Sequence, residues 1–294
     1  MNILISVNIQ YLDKAKTMLF SLYKHTKETI NVYLLNNCID DLEINRFRVF
    51  LKKKCRASLE VINANSFFVN YPLGNSHFSI EMYNRLIPQF LLPNTLDRIL
   101  WLDADIIVLK NLDSFYNQNF EGKYYIVCRD RNYKSDSIKE IKKNLGISNQ
   151  HDYFNSGVLF INLKLLREKG DVNTLLRKCD LVKNNLVYPD QDLLNYCYQN
   201  FVKYVEFKQY NYQLLYDKSI KKTDEDNIFI LHYCGNEKPW LYQYINETSK
   251  YYFKYYFERG ERFDCIRVLR SKMIEDSGNA KIYLKILKYI LFKT

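Results

Sequence analysis

Two carboxylates two residues apart, Asp103 and Asp105, stand between the apolar runs Arg98-Ile99-Leu100-Trp101-Leu102 and Ile106-Ile107-Val108. At the carboxyl end of a buried strand such a pair can reach one divalent cation, and that cation can bridge the phosphates of a nucleotide. The same spacing recurs at Asp190/Asp192 and Asp224/Asp226, so spacing alone says little. The apolar flanks say more, because acids set between two buried strands are costly unless a cation or hydrogen-bond partners satisfy them. His232 follows another strand-like run, Ile228-Phe229-Ile230-Leu231, with Gly235 and Lys238 shortly after it. Glycine lets backbone approach a ligand closely, and lysine pairs with phosphate. An imidazole beside two carboxylates would favour Mn2+ over Mg2+, which prefers oxygen ligands. A structural histidine is an equally good reading of this segment taken alone.

Two further segments place polar groups at the ends of apolar elements. Tyr153-Phe154-Asn155-Ser156-Gly157 opens the strand-like run that continues to Asn162, and Tyr188-Pro189-Asp190-Gln191-Asp192 begins a helix. An aspartate there could serve as helix N-cap. Alternatively, Asp190 and Gln191 present hydrogen-bonding groups to sugar hydroxyls.

The elements that must hold these residues alternate in type. Ile3–Val7, Asn31–Leu35, Ser58–Ile62 and Arg98–Leu102 read as strands. Between them, Leu12–His25, Asp40–Lys53 and Ser79–Leu91 read as helices, the last interrupted by Pro88. This alternation predicts an α/β fold with a mostly parallel central sheet covered on both faces. Ligands of such sheets bind at the carboxyl ends of the strands. Neither GxGxxG nor GxxxxGK[ST] occurs, which argues against a dinucleotide-binding dehydrogenase or a P-loop enzyme. With only 8 Gly, a bound nucleotide must be held by something other than a glycine loop, and a metal is the obvious substitute.

The chain's 294 residues suffice for one large α/β domain with an extension. Its seven Cys are scattered singly, which fits a reducing compartment better than a disulfide framework. The N-terminus reads as a first strand and not as a signal peptide, and no run approaches the ~18–20 apolar residues of a membrane span. A cytoplasmic location is expected. Half of the net charge of +10 lies in residues 251–294, with 10 Lys+Arg against 5 Asp+Glu. There, Lys281, Lys285 and Lys288 share a helical stripe beside Ile, Leu and Tyr, the pattern of an interfacial helix on an anionic membrane. A helix docked on the core with its lysines in water is the competing reading. Aliphatic neighbours make a membrane surface a better partner for this tail than nucleic acid, and no nucleic acid is expected.

Taken together and in this order, WLDAD, YFNSGVLFINL, YPDQDLLN and HYCGNEKPW resemble the family 8 retaining glycosyltransferases. That family includes bacterial lipooligosaccharide galactosyl- and glucosyltransferases and, more distantly, glycogenin. The resemblance runs from the first strand to about Trp240. It implies a GT-A fold over residues 1–250 and a basic, membrane-associating helical region over 251–294, peripheral on the inner face of the plasma membrane. It also implies a metal-dependent enzyme that moves glucose or galactose from a UDP-sugar to a glycan or glycolipid acceptor of the cell surface. By the same resemblance, Asp103, Asp105 and His232 hold the metal, Mn2+ or Mg2+, and Gly235 and Lys238 contact the diphosphate. Arg85 and Asn155 lie near the donor sugar, Asp190 holds its hydroxyls, and Gln191 faces the reactive side of the anomeric carbon. Asp130 belongs to the wall of the donor sugar or the acceptor, and Ala104 lies between the two metal-binding acids. The acceptor falls to loops such as Arg129–Gln150 and Val205–Asp226.

The first strand departs from the family pattern of an acid followed by Asn-Tyr, reading Ser6-Val7-Asn8-Ile9-Gln10-Tyr11 instead. Ser6 and Asn8 remain candidates for the nucleoside, Asn8 accepting from uracil N3–H, with Tyr11 stacking on the base. An amide is a poor nucleophile, so Gln191 points to front-face attack with the departing phosphate taking the acceptor's proton; double displacement through Asp190 stays open. A nucleotidyltransferase would need a Gly-rich N-terminal signature that is absent. A catalytically inactive nucleotide-sugar-binding module is the remaining alternative.

Overall fold

The structure, a computed structural model, describes residues 1–64, 68, 70–73, 79–215, 217, 219–241 and 245–292. Residues 216 and 218 of the Val205–Asp226 loop, and Lys293 of the terminal stretch, lie outside the described residues.

A strand that is apolar at nearly every position needs cover on both faces, and the main sheet is built around such strands. The strands are β1 (Asn2–Ile5), β2 (Asn31–Asn36), β3 (Ser58–Asn63), β4 (Arg98–Leu102), β5 (Ile106–Val108), β6 (Tyr125–Arg129), β7 (Phe154–Asn162), β8 (Val202–Val205), β9 (Tyr212–Gln213) and β10 (Ile230–His232). Seven of them form one sheet in the order β3-β2-β1-β4-β7-β6-β8. Ile3 pairs with Val32 on one side and Leu100 on the other. Alternate residues feed opposite cores: Ile3, Ile5, Leu100, Leu102 and Phe160 join one, and Leu4, Ile99, Trp101, Leu159 and Ile161 join the other. The expected mostly parallel sheet is present, and β7 is its reversed strand, antiparallel to both β4 and β6. That reversal has a purpose for the site. It sets the polar start of β7 beside the carboxyl ends of β4 and β6, with Val158 opposite Leu102 and Phe154 opposite Arg129.

A second sheet, β5-β10-β9, was not anticipated. Its strands have two or three residues each, too short to show a period. The chain leaves β4, turns through Asp103-Ala104-Asp105 and enters β5, so the acidic pair forms the corner between the sheets. β10 then runs antiparallel to β5 with His232 opposite Ile106.

The helices follow their local chemistry. The first spans Ile9–His25 and begins three residues before the expected Leu12, because the Asn8 side chain caps it by accepting from Tyr11 N at 3.2 Å. The second, Asp41–Phe50, is capped by Asp40 and passes into a π-helical turn at Leu51–Cys55. The expected helix over Ser79–Leu91 is instead a 3-10 segment, Ile80–Leu86, and a separate turn, Pro88–Leu91. Proline disfavours α geometry at the residue before it, and Ile87 breaks away at φ −125°, ψ 20°.

Three helices, Ser249–Glu258, Arg262–Glu275 and Ala280–Phe292, end the described chain. They are fastened to the first helix by buried Arg259, which donates to the Asp13 carbonyl and carboxylate at 2.7 Å each. Tyr283, Ile286 and Ile290 of the last helix are buried, while Lys281, Lys285, Lys288, Leu284 and Phe292 face outward. Among the described residues no helix is long and apolar enough to cross a membrane.

Candidate active site

The corner between the sheets is tied down on both sides. Asp103 N donates to Gly157 O of β7, and Tyr233 N after β10 donates to Asp105 O, each at 3.0 Å. One acid is therefore registered by the large sheet and the other by the small one. The result gathers Asp103, Asp105 and His232, whose ligand atoms all lie within 4.8 Å of one another. His232 Nε2 is 3.2 Å from Asp105 and 4.0 Å from Asp103. Two carboxylates and one imidazole are a donor set suited to Mn2+ and compatible with Mg2+, so the residues present fit a divalent cation.

Gly157 is what lets the imidazole in. A Cβ there would stand 2.2 Å from His232 Cε1, 2.9 Å from Nδ1 and 3.0 Å from Asp103 Oδ2. No side chain larger than hydrogen fits without moving the ring.

Arg85, in the 3-10 segment, is buried against this centre. Its Nη2 donates to Asp103 Oδ1 at 2.9 Å, and Nη1 donates to Ser156 O and Oγ at 2.8 and 2.9 Å. Nη1 also lies 3.1 Å from Asp190 Oδ2. That oxygen sits off the N–H direction, so the contact is an ion pair and not a hydrogen bond. The guanidinium stacks 4.6 Å from the Trp101 ring, whose Nε1–H donates to Asp103 Oδ1 at 2.8 Å. Burial would lower the Arg85 pKa, but Asp103 and Asp190 overturn that and hold it high.

Lys238 closes the other side. It donates to Asp105 Oδ2 and, at 2.7 Å, to the Tyr233 carbonyl. The sequence suggested a phosphate partner for Lys238; in the structure its ammonium rests on Asp105. Burial alone would raise the Asp105 pKa; Lys238 and His232 more than reverse this and hold it well below the usual carboxylate range. Burial likewise disfavours a charged His232, opposed by Cys234 and Asp105, and its pKa ends well above the usual value. Of those two opponents Asp105 is the physical cause, since burial pushes the Cys234 thiol up and keeps it neutral.

Facing these charges is a wall of amides. Gln191 Oε1 accepts from Asn155 Nδ2 at 2.9 Å and from Ser156 N at 3.1 Å, while Gln191 Nε2 donates to Asp130 Oδ2 at 3.3 Å. Burial raises the Asp130 pKa. Burial also raises that of Asp190, opposed by Arg85. The expectation that an aspartate of this segment is an N-cap is corrected. The Pro189–Tyr198 helix has Tyr188 at its N-cap and proline in its first turn, where a missing N–H costs nothing. Asp190 turns to Arg85, and Asp192 folds back to accept from Val187 N at 2.7 Å, Tyr188 N at 2.9 Å and the Tyr153 hydroxyl.

A cavity of about 590 Å³ opens over this centre, and every residue that the family resemblance assigned to the site lines it. At its mouth, Ser6 Oγ donates to Leu35 O at 3.1 Å, and Asn8 spends one lone pair of its carbonyl oxygen on the helix cap. Tyr11 meets Trp240 edge to face at 6.1 Å. Ala104 is buried at the acidic corner, and Gly235 turns the chain after β10 at φ +70°, a conformation few side chains tolerate. Sequence reasoning missed Gly157, Ser156, Trp101 and Asn211 as parts of this centre. Gly157 and Ser156 stood inside the noted Asn-Ser-Gly segment; nothing local to Asn211 signals its place.

Residues 2–244 match the family model described as glycosyl transferase family 8. The chain is 26% identical over 267 residues to the lipopolysaccharide 1,2-glucosyltransferase of Escherichia coli K12, covering 86% of this chain and 76% of that one. Its fold is similar to that of galactosyltransferase LgtC, solved with donor and acceptor sugar analogs, with a TM-score of 0.76 and 22% identity over 87% of this chain and 95% of the other. It is also similar to glycosyltransferase GlyE of Streptococcus pneumoniae, with a TM-score of 0.65 and 22% identity over 94% of this chain and 63% of the other.

Proposed function

The chain belongs to glycosyl transferase family 8, and from that premise we propose that it transfers glucose or galactose, with retention, from a UDP-sugar to a glycan acceptor in bacterial cell-surface polysaccharide or lipopolysaccharide synthesis. The observation that carries this reading is the convergence of Asp103, Asp105 and His232 in a cavity that Asp190 and Gln191 also line. The three residues hold Mn2+, with Mg2+ as a substitute, and Gly235 and Lys238 meet the diphosphate. When bound, the cation supplies electrostatic stabilisation for the UDP leaving group.

The chain's own residues do the rest. Arg85 keeps Asp103 and Asp190 in fixed relation, so that Asp190 can hold donor hydroxyls while Asp103 faces the phosphates. The Lys238 ammonium needs only to swing off Asp105 to meet a phosphate oxygen. Gln191 stands by the anomeric carbon as a neutral hydrogen-bonding group, which supports front-face attack with the leaving phosphate as the base. Asn155 and Asp130 line the sugar side, while Ser6, Asn8 and Tyr11 face the nucleoside.

The test is UDP release from UDP-Glc, UDP-Gal, UDP-GlcNAc and UDP-GalNAc by the purified protein with Mn2+, Mg2+ or EDTA. Release from one of the first two, abolished by EDTA, is expected. No release together with no metal-dependent UDP binding overturns the reading in favour of an inactive module. For residues 251–294 we propose a basic helical extension of the 1–250 transferase domain that rests on anionic membrane. Leu284 and Phe292, 48% and 83% exposed beside Lys281, Lys285 and Lys288, support this. Equal sedimentation with neutral and anionic vesicles would count against it.

A further inference from the structure

Asn211 is fully buried, at the end of the Phe207–Tyr210 turn and immediately before β9. A buried amide is costly unless its oxygen and nitrogen are both bonded. Asn211 meets that condition with two partners, each on a different part of the site. Its Nδ2 donates to Asn155 Oδ1 at 2.9 Å, and its Oδ1 lies 2.9 Å from His232 Nδ1.

The polarity of this arrangement follows from backbone donors. Gly157 N–H can only donate, and it donates to Asn155 Oδ1 at 3.0 Å, which identifies that atom as oxygen. Ser156 N–H identifies Gln191 Oε1 in the same way at 3.1 Å. Asn155 Nδ2 therefore points to Gln191, and Asn155 Oδ1 must receive from Asn211. Asn211 is left with its oxygen towards His232, and an oxygen without hydrogens requires a proton on His232 Nδ1. The lone pair of a neutral His232 is then on Nε2, the nitrogen 3.2 Å from Asp105.

We propose that Asn211 is a positioning residue that sets the His232 tautomer for metal ligation and, through Asn155, holds Gln191 in register with the metal side. The inference rests on the metal-binding reading above. Two backbone N–H groups thereby dictate the imidazole tautomer through three side-chain amides, Gln191, Asn155 and Asn211, without any charged group in the chain. An apolar residue at 211 would take the acceptor from His232 Nδ1–H and leave Asn155 Oδ1 with Gly157 N–H but without its second donor.

The two halves of the proposal separate in two variants. N211A removes both bonds, and Mn2+ binding measured by EPR in the presence of UDP should weaken about 10- to 100-fold, the usual effect of losing such a partner. N211D keeps an oxygen for His232 Nδ1–H but offers Asn155 no donor. Its Mn2+ affinity should return to within about threefold of wild type, while kcat stays about tenfold down because Gln191 is less well held. A merely structural Asn211 would move melting temperature without this split. Wild-type protein that fails to bind Mn2+ with UDP sinks the metal reading itself; wild type that binds, with a folded N211A that binds equally well, overturns the role of Asn211. A measurement on the unmodified chain covers a variant that does not fold. In wild type labelled with 15N-histidine and loaded with Cd2+, His232 should show Nε2 bound and Nδ1 protonated. Cadmium on Nδ1 would overturn the proposal.

Discussion

Two adjoining groups of residues in the site are built from different chemistry. In one group Asp103, Asp105, Arg85, Lys238 and His232 form a dense set of charged and ionisable groups, each satisfied by another within about one hydrogen-bond length. In the other group, Gln191 and Asn155 line the cavity and Asn211 lies buried behind them, neutral amides joined end to end. Charges in low dielectric act strongly on any charged ligand but respond to every neighbour. Amides act weakly, yet their donors and acceptors are directional and do not change with pH. On the proposed function, the first would serve to grip a diphosphate and the second to aim an anomeric carbon.

The division can be broken most sharply from the charged side. The D103A/D105A double variant should lose about 10³-fold or more of transfer activity, and retention of full activity would end the metal assignment. G157A should follow: its methyl group would collide with His232 Cε1 at 2.2 Å. Mn2+ affinity, followed by EPR, should fall at least about tenfold with the displaced ligand. On the amide side, Q191A should lower kcat about 10- to 100-fold while leaving Mn2+ and UDP binding by calorimetry near wild type. Parallel loss of metal and turnover in Q191A would erase the distinction between the two sides.

The smallest effect concerns Asp192, behind the amide side. Burial lifts its pKa to about 6, against the hydrogen bonds from Tyr153, Val187 and Tyr188. A folded value above the unfolded one means that its stabilising share is whole below about pH 4 and is lost as pH rises through about 6, some 2–3 kcal/mol in all. In denaturant titrations across that window D192N should show a flatter pH dependence than wild type. An unchanged slope would mean that Asp192 is ionised at little cost.

How much of this could be read from the chain depended on how local each signal was. β4 and the acids that follow it were legible because an apolar run and a chelating pair are adjacent in sequence. So was the break at Pro88, which fell where steric exclusion puts it. For Asp190 and Asp192 the sequence left helix capping and sugar contact both open, because propensity cannot weigh a distant Arg85 against a nearby backbone N–H. The apolar runs that became β5 and β10 were legible, but nothing local showed that they pair in a sheet of their own, and β9, with only two residues, showed no pattern. Asn211 depends on that sheet and was invisible with it. Gly157 sat within a noted segment, but only the approach of His232 explains why it must be glycine.

The acidic corner has a kinetic meaning for the nascent chain. Asp105 and His232 are brought together only when β10 has added to β5, a pairing that spans much of the sequence. Contacts of such separation close late in folding, after local helices and the first parallel strands. The cation site is then among the last features to mature, and a chain released before β10 is synthesised could build most of the large sheet yet have nothing to chelate with beyond two aspartates. On the proposed metal reading, time-resolved quenching by Mn2+ during refolding would place that moment.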